Sequence, residues 1–141
     1  VAIEKYLDTY RQTQPDLTVS FCHDGDISRV SRPVALFCYR MVQEGLTNIA
    51  RHAQAHTVTI ELNILPSALS LVIADDGVGF SAARAEQARL DNHLGLVSMQ
   101  ERTDVLNGTF SIDGQPGKGT TLTITLPLHL SEEMEHEHTI G

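Results

Sequence analysis

Apolar side chains recur at helical spacing through residues 34–54, VALFCYRMVQEGLTNIARHAQ, the longest such segment of the chain. Successive residues of an α-helix are rotated by about 100°, so side chains three, four and seven positions apart share one face. The spacing therefore predicts a helix with one narrow apolar stripe that is buried in the core. The stripe consists of Ala35, Cys38, Val42, Leu46, Ile49 and Ala53.

The opposite face of this predicted helix is polar, but not uniformly so. At i, i+4 and i+7, and at the adjoining edge, it carries Glu44, Asn48, Arg51 and His52. Phe37 and Met41 are expected on the same side. A carboxylate, an amide and a guanidinium mixed with large apolar groups indicate the floor of a polar pocket. The alternative is an ordinary amphipathic helix with a solvated outer face.

The rest of the chain divides into helical and strand-like patterns. Helices are predicted over 2–13, with Ile3, Leu7 and Tyr10 on one side, and over 94–106. Strands are predicted at 17–22, 57–65, 69–74, 109–113 and 120–126. This order predicts an α+β two-layer sandwich, with a mixed, mainly antiparallel sheet and helices packed on one face. It argues against a doubly wound dinucleotide fold.

Local patterns complete the outline. Ser31 is expected to cap the central helix, with Pro33 in its first turn. Residues 81–93 are rich in Ala, Arg and polar side chains with little to anchor them, and are expected to be mobile. The domain is expected to span 1–130, followed by a disordered acidic tail over 131–141.

Composition narrows the class of protein. The chain has 141 residues and is 41% hydrophobic, which suits one globular domain. Its formal net charge of −8 argues against direct binding to nucleic acid, which needs a positive surface. Cys22 and Cys38 lack zinc-ligand spacing and suggest a reducing cytoplasm. No apolar run reaches membrane-spanning length, and the abrupt start at Val1 suggests a piece of a longer protein.

Three glycine-containing segments could carry chemistry. DDGVGF at 75–80 follows a buried strand, where a carboxylate can accept an amino group and glycines let a flat ring approach. HLGL at 93–96 precedes a helix, whose N-terminal N–H groups can bind phosphate. GKGTT at 117–121 begins a strand. Each also has a plain structural interpretation: a turn whose Asp bonds its own backbone, a loop-to-helix junction and a hairpin turn.

Together with the central helix, these segments occur in a recognisable order. EGLTNIARH at 44–52 resembles the N box, DDGVGF at 75–80 the G1 box, HLGLVSMQER at 93–102 the G2 region and GKGTTLTITLP at 117–127 the last glycine box. Over roughly residues 15–130, the chain resembles the nucleotide-binding domain shared by gyrase, the heat-shock and mismatch-repair ATPases and the histidine kinases. The segment QEGLTNIARHA is most similar to the corresponding segment of sensor kinases of the nitrate-sensor type. The resemblance implies the Bergerat-type ATP-binding fold.

The resemblance also implies a role for each matching residue. Glu44 would be catalytic, orienting or activating the attacking group, and Asn48 would ligate a Mg²⁺ that bridges the ATP phosphates. Asp75 would bond the adenine amino group. The remaining ATP-binding residues would be Arg51 and His52 at the phosphates, Gly77 and Gly79 at the ring, Gly95 and Leu96 at the phosphate-contacting turn, and Gly119 and Thr120 near Asp75. Gly45 departs from the family pattern, in which Ala is common, and Gly costs about 1 kcal/mol relative to Ala inside a helix.

The implied function is the ATP-binding catalytic domain of a two-component sensor histidine kinase. With ATP and Mg²⁺, it would phosphorylate a histidine on a dimerisation hairpin, for relay to a response regulator of the helix-turn-helix type. His23-Asp24 matches the acceptor dipeptide, but residues 23–26 are interpreted as a turn, so the acceptor hairpin is expected to be missing here. The expected location is the cytoplasmic portion of a membrane-anchored sensor. The alternatives are a non-catalytic nucleotide-binding module and a serine kinase of the anti-sigma type.

Overall fold

A computed structural model describes residues 2–49, 54–79 and 95–128, and within them the helices and strands follow the predicted order. The helices are α1 (Ala2–Thr13), α2 (Arg32–Asn48) and α3 (Leu96–Val105), and a 3₁₀ helix spans Ile27–Arg29. The strands are β1 (Thr18–Asp24), β2 (Thr57–Ile64), β3 (Ala68–Asp75), β4 (Thr109–Gln115) and β5 (Gly119–Pro127). Ser31 caps α2 as predicted, because its hydroxyl accepts the Val34 N–H. None of the described helices is long and apolar enough to cross a membrane.

The strands form one mixed sheet in the order β1-β2-β3-β5-β4. β1 runs parallel to β2, with α2 in the crossover, and the other neighbouring pairs are antiparallel. Apolar side chains form cross-strand rows on one face; one row consists of Ile60, Ile73, Leu122 and Ile112. The adjoining row, on the other face, consists of Thr59, Ala74, Thr121 and Asp113. The predicted α+β sandwich, with a mainly antiparallel sheet, is confirmed.

The helices share a single core with the apolar face of the sheet. α2 is buried over a wider arc than the sequence predicts; its buried residues are Val34, Phe37, Cys38, Met41, Val42, Gly45 and Leu46. Phe37 is 6% exposed and Met41 is 0% exposed, so the side of α2 that also carries Glu44 and Asn48 is buried at these two positions. Ala35, predicted in the buried stripe, is exposed. α2 packs against both the sheet and α1, so a wider arc of its surface is covered than the single predicted stripe.

α1 is attached to the core by polar bonds as well as by apolar contacts. Its buried side is the predicted one, formed by Ile3, Leu7 and Tyr10. The Tyr10 hydroxyl donates to the carbonyl oxygen of Leu46 at 3.1 Å. Burial raises the pKa of Tyr10 to about 12, with a smaller contribution from Tyr6. The Arg11 guanidinium donates to the carbonyl oxygen of Val19 at 2.8 and 3.2 Å. These bonds join α1 to both α2 and the edge strand β1.

The predicted turn at 23–26 is wrong in its first half. β1 continues through His23 and Asp24, both of which pair with β2. The chain turns at Gly25, whose φ is +100°. His23 is therefore an exposed strand residue and not a loop histidine. The parallel ladder with β2 outweighs the turn preference of this segment, and that ladder is not visible in the local sequence.

Candidate functional site

Asp75 ends β3, where it pairs with Thr120 of β5. Its Oδ1 atom accepts the N–H of Gly77 at 2.8 Å, and the backbone N–H of Thr120 donates to the same carboxylate. Burial raises the pKa of Asp75 above its usual value, the N–H groups of Gly77 and Thr120 lower it by less, and the adjacent Asp76 raises it further. The structure thus brings together three of the predicted site residues around a partly desolvated carboxylate.

The bond between Asp75 and Gly77 is also the bond expected of a plain glycine-rich turn. Both interpretations of DDGVGF therefore apply to the same residue. A carboxylate offers about four acceptor positions, and the two backbone N–H groups leave capacity for another donor. Because water is partly excluded from Asp75, an amino group brought to it would form a comparatively strong hydrogen bond.

Asp76 binds the start of β2, a contact that its local sequence does not indicate. Its Oδ1 atom accepts the N–H groups of His56 and Thr57, each at 2.8 Å. These bonds, that of Thr57 first, hold the pKa of Asp76 below its usual value. The Asp76 N–H also donates to the carbonyl oxygen of Thr57 at 3.3 Å. The only sequence feature pointing to it was an Asp before a Gly, because its partners depend on how β2 aligns with β3.

The turn between β4 and β5 closes against the segment that follows β3. The Gly117 N–H donates to the carbonyl oxygen of Val78 at 2.6 Å. Gly79 and Gly119 have positive φ angles, and a Cβ atom on either would overlap backbone carbonyl oxygens across this contact. Backbone packing alone therefore requires both glycines. Their role toward a bound ring, like that of Gly77, stays a prediction.

Glu44 lies beside the start of α3. Its Oε2 atom is 3.2 Å from the position that a Cβ atom on Gly95 would take. Gly95 is the N-cap residue of α3, with φ +67°, and provides no side-chain cap for the first N–H groups of the helix. A carboxylate of α2 and the N-terminus of α3, predicted from separate motifs, are thus adjacent. Leu96 is 1% exposed, so its side chain belongs to the core and only its backbone can serve a ligand.

Asn48 is the last residue of α2 and is partly exposed, one helical turn beyond Glu44. Arg51 and His52 lie outside the described residues, as do the predicted mobile segment 81–93 and the predicted tail 131–141. Their roles stay predictions.

Within the described ranges, no three His, Cys, Asp or Glu side chains are grouped so that they could hold a metal ion. The amide oxygen of Asn48 is a hard donor of the kind that Mg²⁺ accepts. A Mg²⁺ ion at this site fits only if it takes most of its ligands from phosphate and water, which is its usual behaviour in nucleotide sites.

The fold and this grouping of residues match a known family. Residues 34–130 match the sequence profile described as histidine kinase-, DNA gyrase B-, and HSP90-like ATPase. The matched range contains Glu44, Asn48, Asp75, Gly95 and Thr120. The chain belongs to this ATPase family.

Individual relatives are sensor histidine kinases. The chain is 32% identical over 130 residues to the signal transduction histidine-protein kinase/phosphatase DegS of Brevibacillus brevis, covering 92% of this chain and 32% of that protein. It is 33% identical over 135 residues to the sensor histidine kinase LiaS of Bacillus subtilis, covering 96% and 36% respectively. The solved Erythrobacter litoralis EL346 blue-light activated histidine kinase has a TM-score of 0.71 at 20% identity, covering 89% of this chain and 42% of that one. The chain spans about a third of the length of these curated relatives.

Proposed function

We propose that the chain is the catalytic domain of a two-component sensor kinase that transfers the γ-phosphoryl group of ATP to a histidine on a separate dimerisation hairpin. The observation that carries the proposal is the position of the Glu44 carboxylate beside Gly95 at the start of α3. The N-terminus of a helix favours phosphate oxygens. A carboxylate next to it can orient or activate the group that attacks the γ-phosphate. Phosphoryl transfer depends mainly on such positioning and on charge stabilisation.

The nucleotide is proposed to lie between the end of β3 and the end of α2. Asp75 accepts the adenine amino group, and its partial burial and spare acceptor positions support this role. Asn48 ligates a Mg²⁺ that bridges the phosphates. The other proposed contacts are Arg51, His52 and the Gly95–Leu96 backbone at the phosphates, and Gly77, Gly79, Gly119 and Thr120 around the ring.

The wider setting is proposed from the same resemblance. The segment QEGLTNIARHA suggests a sensor kinase of the nitrate-sensor type, in which the phosphoryl group passes to a response regulator of the helix-turn-helix type. The domain is proposed to act in the cytoplasm, as part of a membrane-anchored sensor. Its net charge of −8 supports the view that it does not itself bind nucleic acid.

Calorimetric titration with ATP, with and without Mg²⁺, tests nucleotide binding. Asn48→Ala should lose the Mg²⁺-dependent part of the affinity and keep its fold, because no core side chain is removed. Thr47→Ala is the matched control, since Thr47 is the exposed neighbour on the same helix. Equal Mg-ATP affinity in Asn48→Ala and wild type would contradict the metal assignment, and absence of ATP binding by the wild type would contradict the proposed function.

A second experiment tests the transfer step. Incubated with radiolabelled ATP, the chain alone should remain unlabelled. Adding the acceptor hairpin of the sensor kinase that contains this domain should restore transfer, slowly, because the effective concentration provided by the tether is lost. ATP binding without transfer would support a non-catalytic module instead. Transfer to a serine would support the anti-sigma type.

A further inference from the structure

Two adjacent carboxylates at the end of β3 make contacts in different places. Asp75 is partly buried and accepts the N–H groups of Gly77 and Thr120. Asp76 is exposed and accepts the N–H groups at the start of β2. Successive side chains of an extended chain point to opposite sides. Asp76 is therefore placed away from the acceptor atoms of Asp75. It is not positioned to contact the ligand group that Asp75 is proposed to bind.

The bonds of Asp76 continue the junction between β2 and β3 beyond the regular ladder. The last paired residues of the two strands are Val58 and Asp75. One residue further, the Oδ1 atom of Asp76 accepts two N–H groups at 2.8 Å each, and the Asp76 N–H donates to Thr57. Hydrogen bonds to an ionised carboxylate are stronger than those between neutral groups. The backbone on both sides of Asp75 is thus fixed, by the ladder before it and by Asp76 after it.

This junction lies at the Asp75 end of the candidate site. The start of β2 follows the segment that comes from α2, which carries Glu44 and Asn48. The end of β3 carries Asp75. Asp76 joins the start of β2 to the end of β3 through hydrogen bonds that involve neither core side chains nor any of the proposed ligand contacts.

We infer that Asp76 is a positioning residue for purine recognition, which holds the ends of β2 and β3 together and thereby fixes the direction of the Asp75 carboxylate. Asp76 acts through Asp75, so the inference rests on the proposed function. Without the two bonds of Asp76, the backbone at residues 75–77 gains freedom. The penalty for a base that lacks an amino group in the right place then falls, and selectivity for ATP over GTP falls with it.

The test compares three variants of the whole chain: Asp76→Ala, Asp76→Asn and Asp113→Ala. Asp113 is an exposed carboxylate on β4 and serves as the matched control. The ATP and GTP dissociation constants are measured by calorimetry, and the unfolding midpoint by urea titration. Asp76→Ala should lower the ratio of GTP to ATP dissociation constants about tenfold, the scale of one lost charge-assisted hydrogen bond. Asp76→Asn should restore most of the ratio, since an amide oxygen can accept both N–H groups. Asp113→Ala should match the wild type.

The outcomes are distinguishable. A wild-type ratio in Asp76→Ala would overturn the inference alone, even if its unfolding midpoint falls, because that is the behaviour of a merely structural residue. An Asp76→Asn ratio as low as that of Asp76→Ala would overturn the hydrogen-bond account. If Asp76→Ala does not fold, Asp76→Glu decides: its oxygens stand one methylene farther out, so a wild-type ratio in this variant would overturn the inference. Absence of ATP binding by the wild type would overturn the proposed function and this inference with it.

Discussion

Gly45 in α2 and Ile73 in β3 approach so closely that a Cβ atom on Gly45 would stand 2.9 Å from the Cδ1 atom of Ile73. Alanine at position 45 would gain about 1 kcal/mol of helix propensity, but the Ile73 methyl group would have to move. Because that methyl is the free end of a flexible side chain, Gly45→Ala should change the free energy of unfolding by less than about 1 kcal/mol.

A double-mutant cycle measures this contact by urea denaturation. Ile73→Val alone should cost about 0.5–1.5 kcal/mol, because it removes a buried methyl group. Combined with Gly45→Ala, it should cost less, since the new methyl fills part of the space. Strict additivity of the two changes would show that helix and strand do not meet at this point.

Gly95→Ala should impair phosphoryl transfer to the acceptor hairpin. A non-glycine residue in the left-handed conformation costs about 1–2 kcal/mol, and the added Cβ would crowd the Glu44 carboxylate. Gly117→Ala is the matched control, because Gly117 has φ +77° and no atom within 4 Å of its Cβ position. Both variants should lose similar stability in urea titrations, whereas only Gly95→Ala should slow transfer. Equal transfer rates in Gly95→Ala and Gly117→Ala would show that the contact between Glu44 and the start of α3 does not contribute to phosphoryl transfer.

Glu44→Gln should suppress transfer to the acceptor hairpin and leave ATP affinity nearly unchanged. The carboxylate is proposed to act on the attacking group, and glutamine keeps its shape without its charge. Label transfer gives the rate and calorimetry gives the affinity. Glu101→Gln makes the same chemical change at an exposed site of α3 and should behave as the wild type. A parallel loss of affinity and rate in Glu44→Gln would assign Glu44 to nucleotide binding instead.

ATP binding should weaken on acidification at a pH above that expected for an ordinary carboxyl. Burial raises the pKa of Asp75 above 3.8, so Asp75 gains its proton, and loses part of its acceptor capacity, before exposed carboxylates do. Asp75→Asn should remove this step from the pH profile. It should also reduce the preference for ATP over GTP, by about 1–3 kcal/mol for one paired polar contact.

The same shift has a signed effect on stability. Because the folded protein binds the Asp75 proton more tightly than the unfolded chain does, Asp75 favours the folded state most when protonated. This contribution is lost as pH rises from 3.8 through the raised pKa. The unfolding midpoint of wild type relative to Asp75→Asn should therefore fall across that window. A constant difference between the two proteins would mean that the carboxylate is solvated.

The element order was predictable because β2 and β5 alternate apolar and polar residues, because the segment of β3 is almost continuously apolar, and because α1 and α2 carry apolar residues at helical spacing. The burial of Phe37 and Met41 was not predictable from α2 alone. The pattern of one helix shows its apolar and polar faces but not how many neighbouring elements cover them, and α2 packs against both the sheet and α1. The same limit applies to His23, whose strand conformation depends on a parallel partner more than thirty residues away along the chain.

The candidate site was predictable where a motif concentrates its residues, as in the pairing of Asp75 with Gly77. Contacts between separate segments were not. Gly45 looked like a departure from a pattern, and its close approach to β3 gives it a packing reason. Asp76 looked like part of a turn, and only the alignment of β2 with β3 shows which N–H groups it accepts.

The alternation along β5 also determines what stands beside Asp75. Leu122, Ile124 and Leu126 are buried, and Thr123 and Thr125 between them lie on the other face of the sheet. A shift of β5 by one residue against β3 would bury threonine hydroxyls, expose leucine and isoleucine, and move Thr120 away from Asp75. A core substitution that loosens this alignment would therefore alter the proposed nucleotide preference although every residue at the site stays the same. Mutations in the core can thus change ligand selectivity without touching the ligand.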